Sequence, residues 1–304
     1  EERSMKGIGI VNQINSMLSS LSLGFYYFEI AFILREARLI NGTLTNSEVW
    51  PSLSQQNFES LEAADLDLMR KIFNAHSRTA SELFFLESGK IPLRFVIYKR
   101  RLMYLWHILN RNDSELIHKV YSVQKFQTTR GDWFELAQKT KAILSIEKTD
   151  DEIKLMKQGT FKSYVEKNIK VAAFQYLQNI ARKHSKSAFF WNKEKLETQK
   201  YLYDVRFSKQ EIQLLFALRS RMVIVKRNFR NLFNNNLECQ TCDDRTAIED
   251  ENHLLNCENL KTDQSVLINF DDVYGSADDQ LKAVRIFKTI LRRRESILEL
   301  AENG

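Results

Sequence analysis

After Pro92 the chain runs to its end without another proline, and only 9 glycines interrupt all 304 residues. A sandwich or barrel needs a turn signal every few residues, and this chain does not supply them. Long breaker-free stretches instead favour helices, and a hydrophobic content of 43% is enough for a real core. The expectation is an all-α fold.

Residues 4–42 read as helix, with Asn41-Gly42 as a stop and Pro51 as a second punctuation mark. Residues 57–73 carry apolar Phe58, Leu61, Ala64, Leu68 and Ile72 at helical spacing. Pro92 suits the first position of a helix over 92–109, which is apolar around most of its circumference apart from Lys99-Arg100-Arg101. Tyr26, Tyr27, Tyr104 and Trp106 read as core. A short helix to about Tyr121 precedes a linker at 124–132 broken by Gly131. Beyond it, Thr149 and Glu152 have capping-box spacing, as do Ser208 and Glu211. Between the two boxes, residues 160–183 read as a long amphipathic helix with Val165, Ile169, Ala172, Tyr176 and Ile180. The second opens a helix expected to reach Phe233, and a last helix follows over 278–302. The expected domains are a helical bundle (1–125), a helical linker domain (126–235), a small metal knuckle (236–260) and a C-terminal helix (261–304).

All 3 cysteines lie between residues 239 and 257. With His253 they form Cys239-x2-Cys242-x10-His253-x3-Cys257. A Cys-x2-Cys turn brings two thiolates to one ion, and a His and Cys four apart can close a tetrahedron. Four protein ligands leave no open position, so one structural zinc ion is expected. The odd, clustered cysteines argue against a disulfide framework and for a reducing, intracellular compartment. His76, His107, His118 and His184 read as surface or packed residues. The most apolar stretch, residues 21–34, is interrupted by Glu29 and too short to span a bilayer, and no signal peptide is visible. No membrane partner is expected.

The chain carries 45 Lys+Arg against 39 Asp+Glu. On a helix continued to Phe233, Leu218, Met222, Val225, Phe229 and Leu232 would make a buried stripe. Arg219, Lys226 and Arg230 would fall within an arc of about 40° beside it. Arg221 and Arg227 add charge, and residues 212–234 contain no acid. Cations at one edge of a rigid helix can track a phosphate backbone. On the last helix Leu281, Val284, Phe287, Leu291 and Leu298 would pack, while Arg285, Lys288 and Arg292 share a neighbouring face.

The stretch LRFVIYKRRLMYLWHILNRNDSELIHKVYSVQK (93–125), the following Arg130-Gly-Asp-Trp133 and the block TLTNSEVWPSLSQQNFESLEAADLDLMRKIFNAHSRTASELFFL (43–86) resemble the region after the polymerase core in non-LTR retrotransposon reverse transcriptases. The Cys-x2-Cys…His253-Leu-Leu-Asn-Cys257 arrangement resembles the zinc knuckle near the C-terminus of such proteins. The resemblance implies a thumb-like helical bundle, a helical linker and a knuckle, acting on RNA or DNA in the nucleus beside an upstream polymerase core of the same polypeptide. Only the four zinc ligands carry over residue by residue. The sequence also departs from the family. Its aromatic-x-Asp-Asp palm motif is missing, because Asp271-Asp272 is preceded by Asn269-Phe270 and lies downstream of the knuckle. Without a proline after residue 92, the Pro-Asp motif of the family's endonucleases is missing too. The chain alone is therefore expected to be inactive as a polymerase or nuclease. The competing reading is a zinc-stabilised helical protein-interaction module descended from such an element.

Overall fold

The computed structural model describes residues 2–242, 244, 246–263, 265 and 268–302. Among them are thirteen α-helices and no β-strand. The helices are α1 (Glu2–Ser20), α2 (Tyr27–Leu34), α3 (Asn41–Thr43), α4 (Gln55–Phe73), α5 (Ser81–Ser88), α6 (Leu93–Leu109), α7 (Leu116–Phe126), α8 (Trp133–Ile143), α9 (Asp150–Leu155), α10 (Gln158–Ala181), α11 (Lys209–Arg219), α12 (Glu251–Asn256) and α13 (Ala277–Glu302). The all-α expectation holds. No helix among the described residues is long and apolar enough to cross a membrane.

The chain forms two compact units. Unit 1 comprises residues 1–21, 31–69 and 81–198, and unit 2 comprises 22–30, 70–80 and 199–304. The boundary expected at 125/126 lies inside unit 1, where α6 packs against α7, α8, α9 and α10.

The single helix expected over 4–42 is broken after Ser20, where Gly24 takes a φ of +53° that ends helical continuity. The chain resumes as α2, passes through a π-helical segment (Arg35–Ile40) and closes with α3. In unit 1, Ile40, Leu44, Leu61, Leu93 and Ile97 form a buried cluster flanked by Trp50, Leu53 and Phe58. Two arginines enter this interior with matched carboxylates. Arg35 meets both Asp65 oxygens at 2.6 Å, and Arg94 meets both Glu62 oxygens at 2.9 and 2.6 Å. Such forks satisfy several donors at once, which a buried charge requires. α10 lays Phe161, Val165, Ile169, Ala173 and Leu177 against α5 and α6.

Both predicted capping boxes form, each with its two reciprocal hydrogen bonds. The helix expected to run from Ser208 to Phe233 does not. α11 stops at Arg219, and a Schellman motif turns the chain. The Met222 N–H donates to the Ala217 carbonyl at 2.8 Å, and the Arg221 N–H donates to the Leu218 carbonyl at 3.1 Å. Arg221 sits at the left-handed position with φ +53°, where glycine is usual. Ser145 does the same after α8, with φ +51° and the Ile146 N–H on the Lys141 carbonyl. A glycine-poor chain thus closes helices with residues that do not advertise a stop.

Candidate metal centre and basic faces

The four sequence-predicted ligands converge in unit 2. A short antiparallel pairing at Glu238 and Ile248 brings the first cysteine to the second half of the loop. Its hydrogen bonds run from the Cys239 N–H to the Ala247 carbonyl (2.9 Å) and from the Glu249 N–H to the Leu237 carbonyl (2.8 Å). Asp250 caps α12 by accepting the His253 N–H at 2.8 Å, and Cys257 follows directly at the helix C-cap. His253 and Cys257 therefore lie one helical turn apart, as their spacing requires.

The donor atoms of Cys239, Cys242, His253 and Cys257 all lie within 4.8 Å of one another. Cys239 Sγ and Cys257 Sγ are 4.0 Å apart, and Cys242 Sγ and His253 Nε2 are 3.5 Å apart. The Thr241 hydroxyl lies 3.2 Å from Cys239 Sγ and 3.4 Å from Cys257 Sγ, where it can donate to a thiolate. Burial, together with the neighbouring Cys239 and Cys257, pushes the Cys242 thiol up to about 11. Three sulfurs and one imidazole nitrogen gathered this closely are a donor set that suits one metal ion.

Glu249 anchors the loop. It is fully buried, and its Oε1 accepts the Arg294 guanidinium (2.8 Å) and the Lys226 N–H (3.2 Å). Its Oε2 accepts the Gln240 N–H at 3.2 Å. The spacing reading found the ligands but not this carboxylate, which no short motif marks.

The expected basic face on residues 219–230 does not form, because α11 ends before it. Arg219 is 1% exposed and Lys226 6% exposed. The Arg219 guanidinium donates to the Val273 carbonyl at 2.9 Å and lies over the rings of Tyr201 and Tyr274. Arg221 pairs with Glu251 at 3.3 Å and lies 3.6 Å over the Phe270 ring, and Arg227 pairs with Asp250 at 2.5 Å. Of this group only Arg230 is exposed without an ion pair among the described residues. The expected stripe is buried at Leu218, Met222, Val225 and Phe229, whereas Leu232 is 59% exposed. On α13, Val284 and Phe287 pack as expected, while Leu281, Leu291 and Leu298 are only half-buried. There Arg285 pairs with Glu211 at 3.2 Å, Lys288 is half-buried, and Arg292 is exposed. Asp272, of the Asp271-Asp272 pair, accepts the Asn269 N–H at 2.8 Å, a local cap.

A different basic face lies on unit 1. From residue 157 to residue 184 the only acid is Glu166, and Lys99 holds it at 2.6 Å. Lys157, Lys162, Lys167, Lys170, Arg182 and Lys183 are all exposed. Unlike residues 212–234, this basic stretch carries one interleaved acid. Beside it, α6 exposes part of one face, so Tyr104 and Trp106 are half-buried and not core; Tyr26, in unit 2, is 52% exposed. No family model matches the chain, and no curated protein or solved structure shows significant similarity to it.

Proposed function

We propose that this chain is a zinc-stabilised, nucleic-acid-binding module from the C-terminal part of a non-LTR retrotransposon reverse transcriptase. It holds template RNA with its primer, or target DNA, for a polymerase core encoded upstream in the same polypeptide. The observation that carries nucleic-acid binding is the set of exposed cations spread along and beside α10. Six cations against one already-paired carboxylate form a surface that releases counterions when it meets phosphate. The residues on the unit 2 side that remain available are Arg230, Lys288 and Arg292.

The metal is zinc. Bonds of about 2.3 Å to sulfur and 2.0 Å to nitrogen at tetrahedral angles set S···S near ~3.8 Å and S···N near ~3.5 Å. The Cys239–Cys257 and Cys242–His253 separations of 4.0 and 3.5 Å are close to that geometry, within a set that spans up to 4.8 Å. Three thiolates and one imidazole fill the sphere, so zinc shapes the loop and activates no water.

Fluorescence anisotropy with labelled RNA and DNA tests the binding. Affinity falls steeply with salt, and replacing Lys162, Lys167 and Lys170 with Gln lowers the log–log salt slope by about 2 for single strands. Absence of binding even at low salt refutes the proposal. The parentage is tested separately by the residues encoded upstream, which should contain a palm motif with paired aspartates.

A further inference from the structure

The half-exposed face of α6 borders a groove of about 690 Å³ in unit 1. Lys99, Arg100, Tyr104 and His107 line one side, at the spacing of a single helix face, and Asn41 and Asn46 line the other. Two carboxylates, Glu36 and Glu48, also reach the groove. The sequence marks Lys99-Arg100-Arg101 as the polar break of an apolar helix and Tyr104 as core. In the structure Arg101 is the buried member, while Lys99 and Arg100 stay at the groove.

The residues are fixed in place. Arg100 donates to the Leu44 carbonyl and, at 2.7 Å, to Asn41 Oδ1. Arg111 donates to His107 Nε2 at 3.0 Å, which orients the imidazole. The Tyr104 and His107 rings have centroids 6.0 Å apart and planes inclined by only 14°, so a flat group stacked on one is parallel to the other. Trp133 backs Tyr104 edge-on at 5.5 Å, and its indole N–H is held by the Glu48 carbonyl at 2.8 Å.

We infer that this groove receives unpaired nucleotides, whose bases lie against Tyr104 and His107 while their phosphates run toward Lys99 and the α10 lysines. The inference rests on the nucleic-acid reading above and assigns this groove, beside the basic stretch of α10, to single strands. A duplex hides its base faces in the stack and presents phosphate on both edges, and Glu36 and Glu48 would repel that phosphate. An unpaired base offers a face for the rings, and its amino and imino hydrogens suit the two carboxylates and the asparagine carbonyls. Lys99 links the groove to the α10 cations, since its ammonium sits on Glu166 of α10. Aromatic platforms beside a cationic track are a sequence-tolerant way to hold a single strand.

The test uses the full chain and three labelled probes: a single strand of mixed sequence, its duplex, and an abasic strand with the same number of phosphates. The unaltered protein should bind the base-bearing strand roughly ten-fold more tightly than the abasic strand, the loss expected on removing one stacked base. Tyr104→Leu should abolish that preference, Tyr104→Phe should keep it, and binding to the duplex should not change in either. Equal affinity for base-bearing and abasic strands overturns the groove while leaving phosphate binding intact. Failure to bind any probe overturns both readings. If Tyr104→Leu misfolds, the abasic comparison in the unaltered protein still decides.

Discussion

Glu249 and Arg294 meet at 2.8 Å with neither side chain more than 9% exposed, and this pair ties the metal loop to the long helix α13. Removing one partner strands the other charge in the interior, which costs about 3–5 kcal/mol. Glu249→Ala should therefore lower the stability of unit 2 by that amount in urea denaturation. Replacing both residues with Met should cost far less. A single-site loss below ~1 kcal/mol would show that the pair is not the anchor.

Protein purified under reducing conditions should contain one zinc per chain by elemental analysis. Cys257→Ser should lower the content at equal protein, and chelation should lower the unfolding temperature of the unaltered chain. Zinc contributes about 10–16 kcal/mol of apparent binding energy in small finger peptides, so its removal should be plain in a melt. A melt indifferent to chelator would argue that the cysteines are merely packed.

Arg219 and the α10 lysines should part company under mutation. Arg219→Leu removes a buried guanidinium held by Val273, Tyr201 and Tyr274, so it should lower the melting temperature and leave nucleic-acid affinity per folded molecule unchanged. The triple change of Lys162, Lys167 and Lys170 to Gln should do the reverse. Parallel melting and anisotropy experiments separate the two.

Asp150 should give unit 1 an acid-sensitive component. Burial alone would raise its carboxyl. The hydrogen bonds from Tyr121 and Lys125, with the charges of Lys125 and Lys141, outweigh that and hold it below the ordinary carboxylate range. A depressed folded value means the stabilisation is complete above the unfolded value of about 4 and is lost as pH falls through the lower folded value. Asp150→Asn should flatten this part of the stability curve below about pH 4, read by denaturant midpoints across pH. An unchanged slope would show that the cluster does not contribute.

Ser145 holds a left-handed φ of +51° on the surface after α8. Glycine adopts that conformation without the ~1 kcal/mol strain of a side chain, so Ser145→Gly should stabilise the chain by about 0.5–1 kcal/mol. A destabilised variant would place the benefit of Ser145 in contacts of its side chain.

The residues that could be read in advance are those whose physics is local. Thr149 and Ser208 announce helices because a hydroxyl and a carboxylate three residues on satisfy free backbone donors, and the four candidate metal ligands are legible because their close spacing in sequence brings their donor atoms together. The end of α11 was not legible, since Arg221 fills a position that normally shows Gly or Asn. Once that end was misplaced, an arc of cations followed that the folded chain does not present. The burial of Arg219 depends on Tyr201, Val273 and Tyr274, partners set by tertiary packing and invisible to a helical wheel. The α10 lysines were legible by charge alone, but the apolar repeat of Val165 and Ile169 drew the reading to the buried side of that helix.

The compactness of the ligand set also bears on how the protein is made. All four ligands occur within residues 239–257, whereas α13 begins at Ala277. A chain emerging from the ribosome therefore presents the complete set of candidate ligands before the helix that packs on Glu249 has left the exit tunnel. Metal capture can come first and give Arg294 an ordered carboxylate to find. On that order of events, a metal bound at these four residues would be taken up before Arg294 of α13 closes on the buried Glu249.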